Sequence, residues 1–180
     1  METQTAMTIA LAANTPAAAG VQAAGVKQYI SFKIGSEEYA IDIMAVREIK
    51  GWTETTVLPN QPEYILGVMN LRGTIVPVFD LRCRFGMGLT GASRSHVVII
   101  VAVLDRIVGL LVDAVSDILT IDGSEIRAVP DMDRAVSAKF LSGIVSVNET
   151  MVVLLALEQL FAQHAGGGPV QETIQPQSLQ

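Results

Sequence analysis

One cysteine and two histidines in 180 residues leave little for thiol or metal chemistry. Cys83 has no second cysteine to bond, so an internal disulfide is excluded, which fits a reducing compartment. A zinc site takes about four N or S ligands. Neither His96 nor His164 has Cys, Asp or Glu at ligand spacing, so no metal and no cofactor are expected. Lys and Arg number 12 against 18 Asp and Glu, a net charge of -6, and they form no cluster. Phosphate backbones need a basic surface, so nucleic acid is not an expected partner. A polybasic membrane anchor is lacking for the same reason. The longest apolar run, Val97 to Leu104, is too short to cross a bilayer, and no direct membrane insertion is expected. No Lys or Arg precedes Lys27, so the Ala-rich start lacks the basic head of a secretory signal. A cytoplasmic location is the expectation.

What is present is a chain written twice. Gly67-Val-Met-Asn-Leu-Arg-Gly-Thr-Ile-Val-Pro-Val-Phe-Asp-Leu-Arg-Cys-Arg-Phe85 is echoed, without a gap, by Gly143 to Phe161. Gly67 meets Gly143, Thr74 meets Thr150, Val76 meets Val152, Leu81 meets Leu157 and Phe85 meets Phe161. A fainter echo lays Tyr29 to Ile49 over Val98 to Ile118, with Val46-Arg-Glu48-Ile49 on Val115-Ser-Asp117-Ile118. Duplication fixes architecture before anything else does. Two copies, each longer than a solenoid repeat, predict two similar small modules packed together, with a groove between them.

With 50% hydrophobic and 17% charged residues, the chain can bury one substantial core. Residues 1–26 are rich in Ala, Thr and Gln and poor in large side chains, which predicts a flexible N-terminal arm. From Ala165, a Gly run and a Gln/Pro-rich stretch predict a disordered tail over 165–180. Between them, residues 27–164 are expected to form one domain of two intertwined subdomains, approximately 27–90 and 91–164. Four hairpins are predicted there: Tyr29–Ile34 with Glu38–Ile41, Val68–Leu71 with Thr74–Phe79, Val97–Val103 with Ile107–Val112, and Ile144–Val147 with Thr150–Leu155. The runs are more continuously apolar than alternating, as in strands buried on both faces of small closed barrels. Short helices are expected at Met44 to Ile49, at Asp80 to Phe85 and at the C-terminal end, where Leu154, Leu157, Leu160 and Phe161 recur at helical spacing.

Candidate chemistry is sparse. Gly86-Met-Gly88-Leu-Thr-Gly91 matches a dinucleotide fingerprint, but such a loop must follow a strand and open a helix. Here it follows an expected helix and leads to a strand, so a plain loop is predicted. Cys83 between Arg82 and Arg84 invites a lowered thiol pKa, yet no histidine partner is evident. Asp105, Asp113, Asp117 and Asp122 invite an acid/base reading, but Asp105 and Asp122 fall in expected turns, where Asp is favoured for backbone reasons. Asn148-Glu-Thr150 is read as a hairpin turn. Pro59 and Pro62 mark an ordered crossover. Arg72, before Gly73 at a hairpin tip, puts a rigid guanidinium fork on the surface. No constellation supports catalysis.

The runs Gly67 to Gly86, Tyr39-Ala-Ile-Asp-Ile-Met-Ala-Val-Arg-Glu-Ile49, Val108-Gly-Leu-Leu-Val-Asp-Ala-Val-Ser-Asp-Ile118, and Leu141-Ser-Gly-Ile144 with Val153 to Leu160 resemble the CheW family in order and spacing. The resemblance covers about Lys27 to Ala162. It implies a mostly β fold of two SH3-like five-stranded β-barrels, with short helices and a C-terminal helix. It also implies a non-enzymatic adaptor between methyl-accepting chemotaxis receptors and the regulatory domain of the histidine kinase CheA. An adaptor of a pilus-motility or biofilm pathway shares the same motifs. A small-molecule-binding barrel is the rival from another class. By the resemblance, the receptor face would use Val46, Glu48, Gly67, Arg72, Val98, Val115 and Ile118. The kinase face would use Thr55 and Thr56 on the first barrel, and Asp131 and Met132 on the second.

Overall fold

The computed structural model of the chain describes residues 25–130 and 139–162. The expected tail, and all but the last two residues of the expected arm, lie outside the described residues, as do Asp131 and Met132. The fold is mostly β. In chain order the strands are β1 (Val26–Ile34), β2 (Glu37–Asp42), β3 (Val46–Gly51), β4 (Ile65–Leu71), β5 (Thr74–Asp80), β6 (Val97–Val103), β7 (Arg106–Val112), β8 (Ala114–Asp122), β9 (Leu141–Val147) and β10 (Thr150–Leu155). Helix α1 (Leu81–Arg84) follows β5 and α2 (Leu157–Phe161) follows β10, while short 3-10 turns occupy Ile43–Ala45 and Gly123–Glu125.

All four expected hairpins are present. Three of their two-residue turns, Arg72-Gly73, Leu104-Asp105 and Asn148-Glu149, take left-handed backbone at both positions, which matches the twist of the flanking strands; the Gly35-Ser36 turn does so at Gly35 alone. The helices expected after Asp80 and at the C-terminal end also form, though Leu154 belongs to β10 rather than to α2. One element differs. The helix expected over Met44 to Ile49 is a single 3-10 turn followed by strand β3. The reason is a β-bulge: opposite β6, Val46 pairs with Val101 but Glu48 pairs with Ile100, so Arg47 is the extra residue. The bulge puts Val46 and Ile49 on one face three positions apart, which imitates helical spacing.

The strands form two five-stranded sheets, ordered β8-β1-β2-β10-β9 and β3-β6-β7-β5-β4. Both orders follow one pattern. The parallel contact of Ala40 with Leu154 in the first sheet repeats as Gly109 with Val78 in the second. The bulges repeat too: the shift between Ile65 and Gly67 opposite β5 recurs between Leu154 and Leu155 opposite β9. The two echoes in the sequence are therefore one structural unit used twice. The sheets do not follow the repeat, however. Residues 46–112 supply the whole second sheet, and the first is closed by strands from both ends of the chain. The expected division near residue 90 separates the repeats and passes through the second sheet.

Each sheet buries both faces. Along β6, Val98 and Ile100 join Met69, Val76, Val78 and Leu111 in a cluster belonging to the second sheet. Ile99 and Val101 join Phe32, Ile41, Leu110 and Phe161 in a cluster shared between the sheets. A third cluster, of Ala40, Ile121, Val145, Val152 and Leu154, belongs to the first sheet. This explains the continuously apolar runs: neighbouring residues of one strand feed different cores. Burying each such Val, Ile or Leu contributes about 1.5–3 kcal/mol.

Candidate functional site

Two strands, β3 and β8, carry partly exposed apolar residues at the flank of the shared cluster. On β3, Val46 and Ile49 point toward the shared cluster, because they lie opposite Val101 and Ile99. On β8, Val115 and Ile118 lie opposite Phe32 and Ile30, members of the same cluster. Val46 and Val115 pack onto its flanks, while Ile49 and Ile118 remain 43% and 52% exposed. Sequence reasoning named Val46, Val115 and Ile118 and missed Ile49. The signal was available, since Ile49 falls on Ile118 when the copies are overlaid.

Glu48 takes the other face of β3. It lies opposite Ile100, on the side of the second sheet's own cluster. Arg72 reaches it from the β4–β5 turn, with Nη2 3.1 Å from Oε2 and 3.2 Å from Oε1. Arg72 sits at φ 51° beside Gly73, whose N–H donates to Asn70 Oδ1 at 2.7 Å. The Asn-Leu-Arg-Gly run thus builds a turn that holds the guanidinium over Glu48. An exposed pair of this kind contributes about 0.2–1 kcal/mol, too little to be its reason for being there. Gly67 and Val98 are buried, so neither offers a side chain to a partner.

Gly67 has a different task. At φ 134°, with no side chain, it lets the Thr55–Val57 segment lie against β4. There Thr56 N–H donates to Val68 O at 2.8 Å and Val68 N–H to Thr56 O at 2.9 Å. Thr55 Oγ1 also donates, to Leu66 O at 3.1 Å. Thr56 is left exposed, followed by Val57 at 76% and Leu58 at 40% exposure. These last two extend the expected kinase face with apolar surface. In the second copy Arg127 bridges Ile144 as Thr56 bridges Val68.

The remaining polar groups serve local structure. Asp80 is fully buried, caps α1 at Cys83 N–H (3.2 Å), and accepts from Thr90 N–H and Oγ1 at 2.7 and 2.8 Å. The Gly86–Gly91 run is therefore a loop pinned by Asp80, as its context predicted. Burial, and then the carboxylates of Asp80 and Glu63, push the Cys83 thiol up in pKa, opposite to what its arginine neighbours invite. Arg84 is turned away, 4.4 Å from the Tyr64 ring centroid and 4.8 Å from that of Phe140. Asp113 accepts from Gly35 N–H at 2.6 Å and faces His96 Nε2 at 3.6 Å. Asp117 accepts from Ile118 N–H, and Asp122 from Ser124, whose hydrogen bonds hold the Asp122 carboxyl below its usual pKa. Asp105 sits in the β6–β7 turn. The four aspartates do not converge. Among the described residues no three His, Cys, Asp or Glu side chains are placed to hold a metal ion, and no helix is long and apolar enough to cross a membrane.

Paired β sheets, exposed apolar faces and carboxylates used for turns define a protein-binding module. Comparison with known proteins gives it a family. A family model described as a CheW-like domain matches residues 28–165. The chain is 42% identical to the chemotaxis protein CheW of Rhizobium meliloti over 137 residues, 76% of this chain and 88% of that protein. It is 38% identical to chemotaxis protein CheW of Klebsiella aerogenes over 136 residues, 76% of this chain and 82% of that protein. The crystal structure of the scaffolding protein TtCheW from Thermoanaerobacter tengcongensis superimposes with a TM-score of 0.69 at 37% identity, covering 75% of this chain and 87% of that one. The chain belongs to the CheW family.

Proposed function

We propose that this protein is a non-catalytic chemotaxis scaffold that couples methyl-accepting chemotaxis receptors to the histidine kinase CheA, on the cytoplasmic side of the membrane. The observation that carries this reading is the presence of two different exposed faces on one family fold. One is the flank of the shared core, with Val46, Ile49, Val115 and Ile118. The other is the Thr55–Leu58 segment laid across β4.

The first face suits the receptor. A receptor tip is a helical hairpin, and a helix docks through spaced apolar anchors. Glu48 and Arg72 stand beside β3 and set orientation more than affinity, as rim charges do. The second face suits the regulatory domain of CheA. Thr56 offers a hydroxyl at the edge of β4, and Val57 and Leu58 offer the apolar area that makes such an edge adhesive. The repeat carries this reading into the second copy by sequence: Arg127-Ala-Val-Pro130 falls on Thr56-Val-Leu-Pro59, and Asp131 and Met132 follow it in the chain. Coupling is then differential binding. The receptor favours one arrangement of the kinase, and a rigid two-sheet body transmits that preference.

The test uses Arg72→Ala. Its exposed side chain contributes little to stability, so the melting curve should be unchanged while receptor control of CheA autophosphorylation falls at least several-fold. Wild-type control in the variant counts against the role of Arg72, and failure of the unaltered chain to bind either partner counts against the reading itself.

A further inference from the structure

An open cleft of about 470 Å³ lies where the Ile43–Ala45 turn, the β6–β7 turn and the start of α2 meet. Met44, Leu104, Leu155 and Leu157 line it together with Asp42 and Glu158, and among the described residues no Lys or Arg does. Met44 is 76% exposed and Leu104 48%. Leu104 is held at φ 49°, an unfavourable backbone for a bulky side chain, and that conformation sets it at the cleft.

The internal repeat shows what such a place can hold. Met44 corresponds to Asp113, Leu104 to Gly35, and Ala156, beside Leu157, to Asp80. In that other copy the chain covers itself. Thr90 is bonded to Asp80, and His96 stands against Asp113, which also accepts the Gly35 N–H. The loop leaving α1 therefore contacts both corresponding positions. At the cleft, the two acceptors are replaced by Ala156 and Met44, and Gly35 by Leu104. A segment seated here must bring apolar side chains where the other copy receives Thr and His.

We propose that the cleft seats an apolar side chain of the bound chemoreceptor, with a receptor Lys or Arg beside it paired to Asp42 and Glu158. The proposal rests on the receptor reading above, to which it is contiguous: Ala45 precedes Val46, and Ala102 follows Val101, the β6 partner of Val46. Charge selects this occupant over the chain's own residues 163–180, which contain no Lys or Arg and include Glu172.

The experiment titrates a purified receptor cytoplasmic fragment against the full chain, Met44→Ser, Glu158→Lys, Ile118→Ser and a chain lacking residues 166–180. Met44→Ser and Glu158→Lys should each weaken binding five-fold or more with unchanged melting curves. The Glu158→Lys loss should shrink at high salt, where exposed charges are screened. Wild-type affinity in both, with Ile118→Ser weakened, overturns the cleft proposal and leaves the receptor reading standing. No binding by the unaltered chain removes the receptor reading. Binding strengthened several-fold by the truncation assigns the cleft to the chain's own terminus and also overturns the proposal.

Discussion

Adding one methyl group at Gly67 should detach the segment that carries Thr55 and Thr56. A Cβ there would sit 2.8 Å from the Thr56 carbonyl carbon and 3.1 Å from Val57 Cα, and closer still to the Thr56 oxygen. These are backbone atoms of a segment fixed by two hydrogen bonds to Val68, so no side chain can swing aside. The φ of 134° adds strain of about 1–3 kcal/mol for any residue with a Cβ. Losing the two backbone hydrogen bonds adds about 1 kcal/mol each. Gly67→Ala should therefore cost about 3–5 kcal/mol, a large share of the about 5–15 kcal/mol that holds a domain together. Gly143→Ala is the internal control. Gly143 has no positive φ, and its closest obstacle is the Ile126 side chain, with Arg127 O at 3.1 Å. Rotation of Ile126 should hold that cost below about 2 kcal/mol. Urea unfolding followed by Trp52 fluorescence reads both, and at a slope near 2 kcal/mol per molar the Gly67→Ala midpoint should fall by about 2 M. A Gly67→Ala midpoint within about 0.5 M of wild type, or a larger loss for Gly143→Ala, would refute the close-approach argument.

Asp80→Ala should cost about 3 kcal/mol, because it leaves the Cys83 and Thr90 amides and the Thr90 hydroxyl without their acceptor. Hydrogen exchange should then accelerate at the Thr90 amide before it does in β6; equal protection at both would contradict the clasp. Tyr39 supplies a pH prediction. Burial, then the hydrogen bond to Glu37 and its charge, raise the Tyr39 pKa well above its usual value. Since the folded pKa exceeds the unfolded one, this contribution is complete below about pH 10 and is lost as pH rises from there through the folded pKa. Wild type should lose stability above about pH 10 more steeply than Tyr39→Phe; parallel urea midpoints from pH 8 to 12 would remove Tyr39 as the cause.

Much of the fold was legible because hairpins are local. A two-residue turn between apolar runs identifies its own strands, and the gapless echo from Gly67 to Phe161 announced two copies of one unit. Partner choice between copies was not legible. Ala40 and Gly109 occupy equivalent positions, and nothing local says that each pairs with a β strand across the repeat. The strand β3 was hidden by its bulge, which sets Val46 and Ile49 at a helical interval. The same bulge turns Glu48 to the opposite side of β3 from Val46, although the two stand in one short motif. Gly67 stood out in the sequence, but only the approach of Thr56 shows that its role is backbone. Val98 could not be told from an exposed valine, because strands fed by two cores have no polar side to mark.

The central claim is that receptor and kinase use separate faces of one rigid body. Sedimentation of the chain with a receptor cytoplasmic fragment and the CheA regulatory domain tests it directly. A single species containing all three, with CheA binding undiminished at saturating receptor, is the predicted result. Displacement of CheA by the receptor fragment would mean that the two share a face, and would contradict the account.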